Sequence, residues 1–421
     1  MFRFIHSADW QLGARFKQFG AKGEVLRNAR LETLRSALEL GRKHAIDAFL
    51  IAGDLFEDNQ VDERLVTTVV DLFREYGSFP IYLLPGNHDP FTGADSVWKR
   101  KAFLPPPANV HLLLEAGVTD LGGGAFLLAS PLQQKVSTVD PSLKLDGLAA
   151  SLPKDAIKIG LTHGALAIEG KHQPNDFPIA LNAASRAGLD YLGVGHWHNW
   201  LTETDGGRIV MPGTPEPDQF DQERGGSVAL VEIAGAGQPP RVQAVPVATL
   251  TWKTLAFDFL AADSARASLE QALAALLPNA PHTILRVTLS GTASPNVVTD
   301  LRAWLDPATA PFLVCQIVDA TRVALSPAEL QDLRARHPIL AQVLADIDQL
   351  EIMATGGTGV NVATGTAAGD ETAGNAAWPP LTLAAAQALL GPSKIDLAVL
   401  TPEFFSQLRQ ITFQTLQEVA K

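Results

Sequence analysis

The sequence predicts an α/β fold of mixed sheets flanked by helices, and two observations carry that prediction. From Met1 to about Ile233, short β-rich apolar runs alternate with longer stretches of helical periodicity. Two later runs then follow one another with no helical stretch between them, so part of the sheet is antiparallel. In chain order, FRFIH is the first strand, and GEVLRNARLETLRSALELGRKH, apolar at helical spacing, is the first helix. DAFLIAG and the helical VDERLVTTVVDLFREYG come next, then the runs FPIYLLP, NVHLLL, AIKIGLTH and LDYLGVG. RIVMP and SVALVEI are the two late strands.

The Gly/Pro-containing stretch AGAGQPPR, Ala234 to Arg241, reads as the end of a first domain at residues 1–235. Residues 236–350 read as a small α/β domain. It begins TWKTLAFDFL and continues through helical SARASLEQALAALL, strand HTILRVTLSG, helical VVTDLRAWL and strand FLVCQIVDA, with helical residues from about Pro327 to Leu350 closing it. Residues 354–377 are Gly, Ala and Thr with few large apolar side chains, too little to bury, and a flexible linker is expected there. Residues 378–421 carry two helical patterns. In the second, Thr401 is placed as N-cap and Pro402 as the first helical residue. Its stripe of Phe404, Phe405, Leu408, Ile411, Leu416 and Val419 needs a covering surface, supplied by a partner or by its own domain.

A chain of 421 residues has room for two or three domains. Hydrophobic residues at 46% and charged residues at 19% describe an ordinary soluble protein. The first residues lack a signal-peptide pattern, and no apolar stretch approaches the ~18 residues that span a membrane. Cys315 is the only cysteine, which excludes an intrachain disulfide, and its setting in PFLVCQIV reads as a buried inert thiol. A cytoplasmic location without membrane contact is expected. The net charge of −12 weighs against a nucleic-acid partner, but less so where bound cations reverse the field of a carboxylate-rich site.

The apolar runs of the first domain end in ligand-type residues: Asp9, Asp54, Asn87-His88-Asp89, His163, and His196 with His198. In open α/β sheets, sites gather outside the carboxyl ends of strands, so these donors are expected to converge. Asp9 and Gln11, like His196 and His198, are two apart and share a side if the backbone stays extended. Carboxylate, imidazole and amide donors without thiolate suit Mn²⁺, Fe²⁺ or Zn²⁺. The donors are too many for one four-coordinate ion, and a two-metal centre bridged by Asp54 fits the count. His6, His44, His111, His172, His282 and His337 read as ordinary structural histidines.

The order D-x-Q, GDxxxD, GNHD, H, GHxH resembles the calcineurin-like metallophosphoesterase superfamily, whose fold is a sandwich of mixed sheets flanked by helices. The wording HSADWQLG, IAGDLFED and LLPGNHD looks most like its DNA-repair branch, the SbcD-type exonucleases. The resemblance implies a cytoplasmic hydrolase that cleaves phosphodiester bonds in DNA with two divalent metal ions, Mn²⁺ first, Fe²⁺, Zn²⁺ and Mg²⁺ being the other candidates. It implies a first ion on Asp9, Asp54 and His198 with Gln11 in the remaining position, and a second on Asp54, Asn87, His163 and His196. His88 then contacts the scissile phosphate or protonates the leaving oxygen, and Asp89 orients its ring. Residues 236–350 resemble the branch's capping domain. Residues 378–421 resemble its docking segment for an SbcC-type ATPase of the SMC class, and a homodimer is implied by resemblance alone.

Gln11 departs from the pattern, since the superfamily usually has His there. An amide oxygen is a weaker donor than imidazole, so a looser first ion and a preference for Mn²⁺ are expected. Lys99-Arg100-Lys101 beside Trp98, and Arg15 with Lys17, read either as phosphate contacts or as solvated faces. Trp197 and Trp200 read either as base-stacking residues or as packing over the site. The alternative function is a phosphodiesterase or phosphatase of nucleotides or other small molecules, which the acidic charge favours. A scaffold with a decayed site is a third reading, motivated only by Gln11.

Overall fold

The computed structural model describes residues 1–259 and 262–323, with 343 and 345–347 beyond them. The expected linker, the helices of 378–421 and most of the helical stretch at 327–350 lie outside the described residues. The chain divides into two units, the first made of Met1–Lys253, Asn279–Leu285 and Phe312–Val314.

In chain order the first unit runs β1 (Phe2–Ser7), α1 (Gly23–Lys43), β2 (Ala48–Ala52), α2 (Glu63–Glu75), β3 (Ile81–Leu84) and β4 (Val110–Leu112). Next come β5 (Gly117–Gly122), β6 (Ala125–Ser130), α3 (Leu143–Ala150), β7 (Ile157–His163), α4 (Ala183–Ala187) and β8 (Tyr191–Gly195). It continues with β9 (Leu201–Thr204), β10 (Ile209–Met211), β11 (Ser227–Ile233) and β12 (Arg241–Pro246). Two six-stranded sheets result, ordered β12-β11-β1-β2-β3-β4 and β5-β6-β7-β8-β10-β9. Strands β1 to β4 are parallel, as are β6, β7, β8 and β10; β5, β9, β11 and β12 pair antiparallel.

Side-chain alternation sorts the strands' apolar residues into three buried layers. Phe4, Leu50 and Tyr82 of the first sheet meet Leu127, Ile159 and Tyr191 of the second in the cluster between the sheets. Their neighbours Ile5, Phe49 and Ile51 point the other way and pack with Leu34 and Leu38 of α1 and Val66, Val69 and Phe73 of α2. Leu128, Leu192 and Val194 do the same on the far face, against Leu145 of α3 and Ala183 and Ala184 of α4. The central parallel strands are therefore buried on both faces, which is why they read as unbroken apolar runs.

Among the described residues, the second unit comprises Thr254–Pro278, Arg286–Pro311 and those from Cys315 onward. The elements that lie wholly or mostly in it are β13 (Thr251–Asp258), α5 (Ala262–Leu276), β14 (Thr283–Ser290), β15 (Thr292–Ala293), α6 (Pro295–Thr309), β16 (Val314–Asp319) and β17 (Arg322–Val323). The sheet β13-β14-β16 with its two helices has the β-α-β-α-β order read from the sequence.

The boundary at Ala234–Arg241 needs correction. Those residues form the turn of a hairpin in which β11 and β12 pair from Ser227↔Pro246 to Glu232↔Arg241. The Gly/Pro signal marks a chain reversal, and the first unit continues to Lys253. Cys315 is half-buried, and burial pushes its thiol up, away from the reactive thiolate.

Candidate metal centre

Asp9 lies two residues past β1, Asp54 two past β2, Asn87 three past β3, His163 ends β7, and His196 and His198 follow β8. All therefore arrive at the carboxyl ends of strands of the two sheets. The backbone is not extended there as the two-residue spacing assumed. Asp9, Gln11, Asp54 and His196 have φ of 56°, 41°, 53° and 115°. Left-handed backbone at such residues costs of order 1–3 kcal/mol each, and its concentration at one place marks a functional site. The loops are held in these conformations by Asp9 N–H donating to Gly53 O (3.2 Å) and Gln11 N–H to Asp54 O (2.9 Å).

Ligand atoms of Asp9, Asp54 and His163 lie within 4.8 Å of one another, all three residues being buried. His163 Nε2 stands 3.4 Å from Asp54 Oδ2 and 2.8 Å from Asn87 Oδ1. His196 Nδ1 is 3.0 Å from the same Asn87 oxygen. The other ring nitrogens face acceptors: His163 Nδ1 is 2.8 Å from Ala52 O and His196 Nε2 is 2.9 Å from Asp176 Oδ2. An acceptor behind each ring holds a proton on the far nitrogen, so that a cation displacing any proton on the near one would meet its lone pair. Asp9 carries the His196 backbone N–H between its two oxygens at 2.9 and 3.0 Å. Gln11 Nε2 and His198 Nε2 are 3.2 Å apart.

Electrostatics describe a site built for positive charge. Burial alone raises Asp54 and lowers His163, but their mutual attraction outweighs it, holding Asp54 below the usual carboxylate range and lifting His163 to about 9. Asp9 is raised to about 7, chiefly by burial and also by the charge of Asp54. Such packed carboxylates, with imidazole and amide beside them, fit divalent metal.

His88 Nδ1 is 2.9 Å from the Glu57 carbonyl oxygen, and the His88 backbone N–H donates to Asp54 Oδ1 at 2.9 Å. Burial pulls its imidazolium down, while Asp54 and the Glu57 carbonyl more than restore it, so the pKa is raised. Asp89 does not orient His88, contrary to the sequence expectation. Its carboxylate accepts Gly86 N–H at 2.7 Å and Phe56 N–H at 3.0 Å, which ties together the loops after β2 and β3. The ring's orienting partner is the backbone of Glu57.

Sequence reasoning missed Asp176, Gln222, Asp218 and Arg30. Gln222 Nε2 is 2.7 Å from His198 Nδ1 and donates to Asp218 Oδ1 at 2.8 Å; Asp218 pairs with the buried Arg30 at 2.8 Å. Arg30 left a trace in the sequence, a charge on the buried stripe of α1 between Ala29 and Thr33. The other three come from loops whose composition carries no signal.

Of the residues left with two readings, Trp98 is fully buried and Arg100 pairs with Glu63 at 3.1 Å and Asn59 O at 2.9 Å. Those roles are structural. Trp197 and Trp200 pack partly against the apolar clusters, yet both line a cavity of about 530 Å³ with His196, His198, Lys171 and Arg224.

Residues 2–200 match the family model described as calcineurin-like phosphoesterase. A curated relative, the uncharacterized metallophosphoesterase YhaO of Bacillus subtilis (strain 168), is 20% identical over 313 residues, 69% of this chain and 72% of that protein. TT1561 of Thermus thermophilus resembles 58% of the chain over 99% of its own length, at 15% identity and TM-score 0.39. A dimetal phosphatase from Danio rerio resembles 59% over 99% of its own length, at 13% identity and TM-score 0.36. Likeness at that level says nothing of substrate. No described helix is long and apolar enough to cross a membrane. The match to the calcineurin-like phosphoesterase model and the strand-end cluster fall on the same stretch: Asp9, Asp54 and His163 all lie within residues 2–200.

Proposed function

We propose that the chain is a metal-dependent nuclease subunit that hydrolyses phosphodiester bonds in DNA, with Mn²⁺ as its working ion. The observation that carries the choice of substrate is the cavity beside His196 and His198. Its lining includes two tryptophans and the cations Lys171 and Arg224 against one carboxylate, Asp221, suited to a phosphodiester that carries bases. Asp9, Gln11, Asp54 and His198 are the donors for one ion, and Asp54, Asn87, His163 and His196 for the other. Divalent ions held there would polarise the ester and acidify a water for direct attack. The chain's own part is to place His88, held through Nδ1 by the Glu57 carbonyl, with Nε2 left to donate a proton to the leaving oxygen.

The resemblance of residues 378–421 to a docking segment supports an SbcC-type ATPase as partner, and a homodimer belongs to the same reading. The net charge of −12 favours the second reading, a phosphodiesterase of nucleotides or other small molecules using the same residues. Mn²⁺-dependent cleavage of end-labelled linear duplex DNA, beside that of a small chromogenic diester, separates the two. DNA cleavage reduced about 10²–10⁴-fold by His88→Ala is the expected result. His88-dependent cleavage of the diester with intact DNA moves the assignment to small molecules.

A further inference from the structure

The histidines of the centre are held in opposite ways, and from this we infer that Gln222, acting through His198, keeps the first metal position from holding an ion tightly. The chain then retains one divalent cation where the donor count suggests two. The inference deepens the metal-centre reading and rests on it, but not on DNA as substrate.

The orientation of the Gln222 amide is fixed by backbone. Its Oε1 accepts Asp218 N–H at 2.8 Å and Gln219 N–H at 3.3 Å, so its Nε2 is the end that faces Asp218 Oδ1 and His198 Nδ1. An amide nitrogen only donates. His198 Nδ1 must therefore accept, and in the neutral ring the proton sits on Nε2. That is the nitrogen turned toward Gln11 and the first metal position. The structure sets Gln11 Nε2 3.2 Å from that nitrogen, and two donors cannot share the bond, so the Gln11 amide must turn end for end to present its oxygen, which then closes a chain from Gln11 through His198 and Gln222 to Asp218.

The contrast with the second position is direct. His163 and His196 each have an acceptor behind the ring, Ala52 O and Asp176, which holds a proton on the far nitrogen and lets the near one give up its own to a cation. His198 has a donor behind it and offers an N–H. Asp9, the first position's other protein donor beside the shared Asp54, already carries the His196 backbone N–H. Gln222 is a positioning residue here, since it touches neither substrate nor ion. Weak binding at the first position thus follows from the tautomer as well as from Gln11, and restoring histidine at position 11 alone does not cure it.

Equilibrium dialysis of the full chain against Mn²⁺, with elemental analysis, counts the ions in wild type, Gln11→His, Gln222→Glu and the double variant. A carboxylate at 222 accepts from the same backbone donors and from His198 Nδ1–H, which frees Nε2. One tightly held ion is expected in wild type and in Gln11→His. In the double variant a second ion is expected, bound about tenfold or more tighter than in wild type. Two equally tight ions in wild type or in Gln11→His would overturn the inference, as would a double variant that stays at one. No bound ion in wild type overturns the metal reading itself. Long-range ¹H–¹⁵N spectra of histidine-labelled wild type, which need no variant to fold, are expected to show Nε2–H at His198 and Nδ1–H at His163. Nδ1–H at His198 would overturn the inference.

Discussion

His88 and Asp89 are adjacent in the chain and serve different masters: the imidazole is aimed by a backbone carbonyl, and the carboxylate pins two loops. A motif read as a unit can thus contain two residues with separate partners and separate tasks. Arg30 shows the same coupling of site and scaffold. Its side chain is 2% exposed, donates to Trp10 O and pairs with Asp218, which in turn holds Gln222. Arg30→Met leaves the Asp218 carboxylate without its buried counter-charge. A loss of roughly 3–5 kcal/mol in urea unfolding is expected, because breaking a buried pair exposes the full desolvation cost of the survivor. His6 is the other buried ionisable group of note. It lies in β1, 2.7 Å from the Tyr191 hydroxyl, and burial lowers its pKa to about 3. Between pH 6.5 and that value the unfolded chain binds a proton that the folded chain refuses, so stability falls as pH falls. His6→Gln keeps a polar partner for Tyr191 and does not titrate. It is expected to remove a slope of about 1.4 kcal/mol per pH unit from the acid side of the stability profile.

At the scale of elements, the strands that build the site were the ones most legible in the sequence. β1, β2, β3, β7 and β8 are buried on both faces, so their apolar runs and the ligand-type residues that end them stand out. Edge strands are covered on one side only, and their composition is mixed. β5 alternates half-buried with exposed residues, and β12 is largely exposed. Neither announced itself, and missing β12 is what moved the domain boundary. The backbone turns that aim Asp9, Gln11 and Asp54 were equally silent, because left-handed φ at a non-glycine residue leaves no compositional mark. Where glycine is used, the reason is contact. A Cβ on Gly86, in the loop after β3, would collide with the Asp54 carboxylate and backbone nitrogen. Gly86→Ala is expected to weaken Mn²⁺ binding about 10–100-fold with the fold retained, measured by dialysis and far-UV circular dichroism.

For the whole molecule, the chemistry resides in the first unit, where two sheets converge their strand ends on one cluster of carboxylates, imidazoles and an amide. The residues that tune the cluster, Asp176, Gln222 and Asp218, come from loops far along the chain, and no local pattern could bring them together on paper. Residues that meet at the strand ends were therefore legible in the sequence, but the hydrogen bonds that orient each histidine were not. The central claim is that this cluster is a metal centre that hydrolyses phosphodiesters. Its most direct test is hydrolysis of a chromogenic diester by chelator-treated protein before and after Mn²⁺ is restored, in wild type and Asp54→Asn. Activity that returns with Mn²⁺ in wild type and stays more than about a hundredfold lower in Asp54→Asn is the predicted result. Hydrolysis that ignores chelation, or survives Asp54→Asn, would contradict it.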